Sequence, residues 1–287
     1  MNETAASRPG TLFVVATPIG NLGDFSPRAV ETLETVDFIA AEDTRVGARL
    51  LNHFGIKKPQ ICYFEHNRRT KGELIAARLL AGESCALITD AGTPAISDPG
   101  TDLVALCARE GIPVASVPGC CAIPTALSIS GMSCGRFTFE GFLSTTKKSR
   151  LEHLREVKTE KRTMVFYEAP HKLLRTLQDM LDCWGDREIA LCRELTKLHE
   201  ECFRTTLSAA VAHYTETPPR GEFVLVIAGC GESAAPEEQP DLLALVQERM
   251  EAGESLTMAV KSVSRAQNAP KNRLYQAALE RFGHDED

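Results

Sequence analysis

Five times between Leu12 and Ile129 a short, uninterrupted apolar run gives way to a stretch with helical signals. A strand buried on one face alternates apolar and polar residues, whereas a strand buried on both faces does not. The runs at residues 12–17, 38–41, 61–64, 85–89 and 114–117 therefore point to a parallel sheet covered by helices on both sides. The segments at 26–35, 44–54, 71–81, 102–109 and 124–129 read as those helices. Ser26 stands as an N-cap before Pro27, and Gly55, Gly82 and Gly111 follow as stops.

A second α/β half follows. Residues 137–142, 163–167, 189–193, 203–207 and 223–228 read as strands, and 149–158, 171–183 and 207–215 as helices. Residues 231–240, rich in Gly, Ser, Ala, Pro and Glu, read as a linker. Beyond it, 242–252, 256–266 and 271–282 read as three short helices around a turn at Asn268-Ala269-Pro270. Leu256, Met258, Val260, Val263, Leu274, Tyr275 and Ala278 are their expected core. The expected organisation is a parallel α/β domain over 10–132, a second α/β domain over 133–230, the linker, and a helix-turn-helix-like segment over 241–287.

The ten cysteines show no Cys-x-x-Cys and no Cys/His cluster at zinc spacing, so they read as buried reduced thiols in a cytosolic protein, and no metal is expected. Residues 111–135 carry no charge and are long enough to span a bilayer. Three prolines and four glycines there would leave backbone groups unpaired in lipid. A buried strand, a loop and a buried helix are expected instead, with no membrane association.

In an open parallel sheet, ligands bind beyond the carboxyl ends of the strands. All five loops at that edge are Gly/Pro-rich or charged: 17–24, 42–45, 65–69, 90–100 and 118–122. They match neither G-x-G-x-x-G nor a P-loop. Gly92-Thr93-Pro94 is expected to leave its backbone uncovered for a ligand. Asp90 and Asp98 either accept from a ligand amine or ribose or cap turns.

The runs Val15-Ala16-Thr17-Pro18-Ile19-Gly20-Asn21-Leu22, Glu42-Asp43-Thr44-Arg45, Glu65-His66-Asn67, Thr89 through Gly100, Phe166-Tyr167-Glu168-Ala169-Pro170-His171 and Arg193-Glu194-Leu195-Thr196-Lys197 together resemble the ribosomal small subunit methyltransferase I family of the tetrapyrrole-methylase superfamily. The resemblance runs from about Gly10 to Gly229, and the C-terminal helices resemble that family's extension. It implies two α/β domains with a cofactor cleft between them, S-adenosylmethionine as cofactor, and 2′-O-methylation of cytidine 1402 in 16S rRNA of the small ribosomal subunit. It also implies a cytoplasmic homodimer. By resemblance, Pro18, Gly92, Thr93, Pro94 and Ile96 line one side, with Asp90 beside them. Cys121 and Ala122 form a second wall, and Tyr167, Leu195 and Thr196 close over the adenine. Cys120-Cys121 departs from the Pro/Ser-type residues expected after Pro118-Gly119. A small-molecule methylase on the same fold is the competing reading.

A ribose hydroxyl is a weak nucleophile, so a base, or a cation that lowers its pKa, is expected nearby. Glu42, Asp43, Asp90, Glu168, Glu194 and Lys197 are the candidates, with Glu42, Asp43, Arg45 and Lys197 foremost. Arg45, Arg193 and Lys197 equally suit phosphates. The net charge of −7 excludes a bulk polycation. Residues 136–175 nonetheless hold ten Lys/Arg against five Asp/Glu, and 254–281 five against two. RNA contact is therefore expected from local patches: His66, Asn67, Arg68 and Arg69, and Lys261, Arg265, Lys271 and Arg273.

Overall fold

The computed structural model describes residues 8–231, 241–267 and 269–282. Residues 232–240 of the expected linker, Asn268 of the expected turn and the last five residues of the expected C-terminal segment lie outside the described residues. Contacts divide the chain into Met1–Gly229 and Cys230–Asp287.

The first sheet is wholly parallel, with strands β1 (Leu12–Val15), β2 (Phe38–Ala41), β3 (Gln60–Cys62), β4 (Cys85–Ile88) and β5 (Val114–Val117) in the order β3-β2-β4-β1-β5. Between them run helices α1 (Pro27–Thr35), α2 (Thr44–His53), α3 (Arg68–Leu80) and α4 (Thr101–Arg109), and α5 (Ala122–Ser130) follows β5. Successive residues feed opposite faces: Phe38 packs with Ile75, Leu79 and Leu103, while Ile39 packs with Leu33 and Leu51. That two-sided burial is why the strands read as continuous apolar runs.

Two details differ from expectation. β5 is an edge strand with Val114 39% exposed rather than a buried strand, because only β1 pairs with it. Helix α3 starts at Arg68, three residues early. The Asn67 side chain accepts from the Phe64 N–H at 2.9 Å and donates to the Cys62 carbonyl at 3.0 Å, which closes the preceding turn.

The second sheet contains β6 (Phe137–Phe142), β7 (Thr163–Glu168), β8 (Glu188–Arg193), β9 (Glu201–Thr206) and β10 (Phe223–Ile227) in the order β6-β7-β10-β8-β9. β6 and β7 are parallel and the other pairs antiparallel. Helices α6 (Lys147–Glu156), α7 (Pro170–Trp184) and α8 (Leu207–Glu216) cover one face, with Leu154, Leu173, Leu177 and Leu207 packed in a core with Phe166, Leu191 and Leu225. The other face is covered by α5, whose Ile123, Ala126 and Leu127 pack with Val165, Ala190, Val224 and Val226. The last helix of the first half is thus a layer of the second half, and the expected boundary at 132/133 cuts just behind it.

Three of the ten cysteines are buried (Cys85, Cys107 and Cys192) and Cys134 is exposed, so the expectation of buried thiols holds for the strand and helix cores alone. None of the ten forms a disulfide. Among the described residues no helix is long and apolar enough to cross a membrane, and no group of three or more His, Cys, Asp or Glu side chains is placed to hold a metal ion.

In the C-terminal unit, α9 (Leu242–Glu251), α10 (Leu256–Ala266) and α11 (Lys271–Phe282) pack around Val246, Ala259, Val260, Val263, Leu274 and Ala278. Met258, expected in this core, is 55% exposed. The buried stripe of α10 runs 259-260-263, so helical spacing turns position 258 outward. Lys261, Arg265, Lys271 and Arg273 are exposed.

Candidate active site

A cavity of about 480 Å³ opens at the carboxyl edge of the first sheet and is walled on its far side by the second sheet. Its floor is set by a single antiparallel bridge. Thr17, just beyond β1, donates its N–H to the Gly92 carbonyl at 2.9 Å and accepts the Gly92 N–H at 3.1 Å. Both backbone groups of Gly92 are therefore engaged, which corrects the expectation of an uncovered backbone there. Glycine is required here for conformation, with φ at +91°, whereas a lone Cβ would make only ordinary contact with Ile19 Cγ2 at 3.4 Å. Thr93 donates its hydroxyl to the Cys120 carbonyl at 2.9 Å and so ties this loop to the one after β5.

At the edge of the first sheet the cavity meets three carboxylates from two loops, Glu42 after β2 and Asp90 and Asp98 after β4, while Glu168 and Glu222 line it from the second sheet's side. Glu42 Oε2 accepts from the Thr89 hydroxyl at 2.6 Å, and Asp90 accepts the Asp43 N–H at 3.2 Å. Burial, then the charge of Glu42, pushes Asp98 up from 3.8 to about 6, and the same two causes raise Asp90. A raised carboxyl favours folding while protonated, and that contribution is lost as pH rises through the folded value. The ligand-free chain should therefore lose stability as pH rises from about 4 to about 7. Asp98→Asn should melt at a higher temperature than the native chain at pH 8 and at the same temperature near pH 4. A constant difference across that range would show that Asp98 does not titrate as its surroundings dictate.

Asp43 and Arg45 form a closed unit. Asp43 caps α2 by accepting the Arg45 N–H at 2.8 Å, and it holds the Arg45 side chain at 2.6 Å from Nη2. The Arg45 hydrogen bonds bring the Asp43 carboxyl down to about 2. Arg45 is 87% exposed, and neither residue lines the cavity, because the cap turns both side chains toward the start of α2.

Lys197 is clasped rather than free in the cavity. Its Nζ lies 2.8 Å from Glu194 Oε1 and 2.8 Å from Glu222 Oε2. Burial opposes its charge, yet the two carboxylates hold its pKa above the ordinary lysine value. The same hydrogen bond keeps Glu194 low. The stem of Lys197 occupies the space beside Gly20, where a Cβ would come within 2.5 Å of Lys197 Cγ. The loop adopts positive φ at Glu194 (+50°) and Thr196 (+67°), and Thr196 Oγ1 is buried without a hydrogen-bond partner. Strain of that kind persists where surrounding structure over-determines it.

From the second sheet, Tyr167, Leu195 and Val224 line the cavity with Phe142 at their side. Burial raises the Tyr167 hydroxyl above its ordinary value. Glu168 is buried and committed to the start of α7: it accepts the Ala169 N–H at 2.8 Å and the Thr176 hydroxyl at 2.6 Å, with Lys172 Nζ at 3.6 Å. Of the residues expected around a cofactor, Asp90, Gly92, Thr93, Ile96, Cys121, Ala122, Tyr167 and Leu195 line the cavity. Pro18, Pro94 and Thr196 do not: Ile19 presents the wall in place of Pro18, Pro94 is buried beneath the loop, and Thr196 turns inward at its positive φ. The sequence reading missed Ile19, Phe142, Cys192, Glu222 and Val224, which reach the cavity from four different segments.

Residues 11–211 match the family described as Tetrapyrrole (Corrin/Porphyrin) Methylases. The chain is 48% identical over 277 residues to the Ribosomal RNA small subunit methyltransferase I of Synechocystis sp., with 94% of this chain and 98% of that one covered. It is 45% identical over 270 residues to the protein of the same name from Halalkalibacterium halodurans, at 93% of each. Among solved structures, uroporphyrin-III C-methyl transferase from Thermus thermophilus complexed with S-adenyl homocysteine superposes with a TM-score of 0.54 at 17% identity, over 76% of this chain and 97% of that one. That likeness concerns the fold, and it agrees with the two sheets described above. Sequence identity of this level, sustained from end to end, makes the chain a member of the ribosomal RNA small subunit methyltransferase I family.

Proposed function

We propose that this chain transfers a methyl group from S-adenosylmethionine to the ribose 2′-hydroxyl of cytidine 1402 in 16S rRNA. The observation that carries this reading is the near-full-length match to relatives named for methylating small-subunit rRNA. The cavity suits the cofactor. Its volume is within the range of small-ligand sites, Ile19, Ala122, Leu195 and Val224 offer an apolar wall for a purine, and the carboxylates of Glu42, Asp90 and Asp98 complement a sulfonium and an ammonium. When bound, the cofactor supplies a methyl carbon activated by positive sulfur.

The chain's own groups then do the rest. Asp90, Gly92, Thr93, Ile96, Cys121, Ala122, Tyr167 and Leu195 hold and orient the cofactor, with Pro18, Pro94 and Thr196 supporting them from behind. A ribose hydroxyl attacking in line must lose its proton, and Asp98, raised toward neutrality, is better matched to accept it than a carboxylate of ordinary pKa. Glu42, fixed by Thr89, keeps Asp98 in that range. Asp43 sets the orientation of Arg45, whose exposed guanidinium suits a phosphodiester. Lys197 positions the loop 194–197 against Gly20. His66 in the turn before α3 and Arg68 and Arg69 at its start, with Asn67 holding the turn, add contacts to the RNA backbone. The reading includes a cytoplasmic homodimer acting on the assembled small subunit, which light scattering and a comparison of subunit with free rRNA would check.

The test is labelled-methyl transfer to small-subunit rRNA, mapped to a single ribose, with the full chain and with a chain lacking 241–287. The full chain should methylate; a failure with both rRNA and subunits would end the proposal. Lys261, Arg265, Lys271 and Arg273 are exposed on α10 and α11 and suit phosphates, each adding roughly one to the slope of log affinity against log salt. The shortened chain should bind cofactor as before but bind RNA more weakly, with a flatter salt dependence. Unchanged RNA affinity and slope would make the C-terminal helices a structural element.

A further inference from the structure

Phe142 is 55% exposed although it lines the cavity. It sits at the end of β6 in a row of three rings. Phe139 meets Tyr167 edge-on at 5.0 Å between centroids, and Phe142 meets Tyr167 at 5.4 Å. In a regular strand, residues three apart point to opposite faces. The register of β6 on β7 shifts between Phe139 and Gly141, and Gly141 adopts φ of +68°. This bulge adds one residue, reverses the phase, and brings Phe142 onto the same side as Phe139 beside Tyr167. The fold thus accepts a break in the β6–β7 ladder and exposes an aromatic ring at the rim of the site. A cation accompanies it, with Lys172 Nζ 5.8 Å from the ring centroid.

We infer that the exposed face of Phe142 is the stacking platform for the nucleobase of the nucleotide being methylated. The inference rests on the reading of this chain as an rRNA ribose methyltransferase. To bring its ribose into the cavity, a nucleotide must leave the stack of its neighbours, and an aromatic side chain restores that lost stacking. The inner wall of Ile19, Ala122, Leu195 and Val224 already offers one flat apolar slot, suited to the cofactor's adenine. Phe142 lies apart from that wall at the rim, and the cation beneath it, Lys172, is already paired with Glu168 at 3.6 Å.

The experiment compares the full chain with Phe142→Ala and Phe142→Tyr, measuring KM and kcat on small-subunit rRNA and cofactor affinity by calorimetry. Phe142→Ala should raise the KM for RNA by roughly tenfold to a hundredfold, the range of one stacked base. Cofactor affinity should stay within about twofold, and Phe142→Tyr, which keeps the ring, should behave as the native chain. An unchanged KM for RNA would overturn the inference. So would a loss that appears in cofactor affinity, because the ring would then belong to the cofactor. A native chain that transfers no methyl at all would take down the parent reading as well; a native chain that does, beside an unaffected Phe142→Ala, takes down the platform alone.

Discussion

Asp179→Ala should lower the unfolding free energy by about 3–5 kcal/mol, the usual cost of stranding one member of a buried ion pair. Arg150 is 2% exposed, and its Nε lies 2.6 Å from Asp179 Oδ2. Its Nη1 donates to the carbonyls of Ser144 and Thr145 at 3.0 and 3.2 Å. The guanidinium thereby ties α6 to α7 and closes the loop that follows β6. Without Asp179 it keeps the carbonyls but loses its counter-charge in a place water does not reach. Denaturant melts would give the value, and Asp179→Asn, which keeps an acceptor, should fall in between. A loss below about 1 kcal/mol for the alanine variant would mean that the site opens to solvent and that the pair contributes little. Because the loop at 144–145 directly follows Phe142 and Leu143, RNA methylation should weaken beyond what the loss of folded protein explains.

Gly92→Val should abolish measurable cofactor binding and cost about 1–3 kcal/mol of stability. A β-branched residue at φ of +91° is a backbone outlier. Its Cβ would begin 3.4 Å from Ile19 Cγ2 and its methyls would reach further. The strain has two ways out. Either the Thr17–Gly92 bridge breaks and the loop carrying Ala91 and Thr93 swings off the cavity floor, or Ile19 is driven into the cavity. Both remove the cofactor's space. Gly92→Ala separates the contributions, keeping the backbone cost with less bulk. Calorimetry showing native affinity in the valine variant would remove this loop from the cofactor site.

The parallel sheet was legible because burial on both faces removes the alternation that would otherwise disguise a strand: Phe38 and Ile39 serve different cores and both must be apolar. The loops at its carboxyl edge were legible for a related reason, since bland strands make charged and glycine-rich ends conspicuous. What stayed hidden was tertiary. Gly92 looked free because its partner Thr17 is 75 residues away in sequence. Lys197 looked like a cavity cation, and nothing local announces Glu222, 25 residues on, as its second carboxylate. Phe142 was invisible because strict alternation places it opposite Phe139, and a bulge reveals itself in sequence only as a glycine. Arg68 and Arg69 read as loop residues because Asn67, at the N-cap, spends its side chain on Phe64 and Cys62 of the turn before and makes no capping bond to the helix. Val114 read as buried because edge and interior strands share one composition.

The placement of α5 bears on how such an enzyme can be taken apart. A fragment ending near residue 132 would carry Ile123, Ala126 and Leu127 with no sheet to lie on, and a fragment beginning there would present Val165, Ala190, Val224 and Val226 bare. Neither piece is a self-contained module, despite each having a complete five-stranded sheet. The helix that seals the second sheet is also the one that starts at Ala122, just after Cys121, on the cavity wall. A cut that leaves every packed layer whole therefore falls beyond Gly229, where the chain's contacts divide.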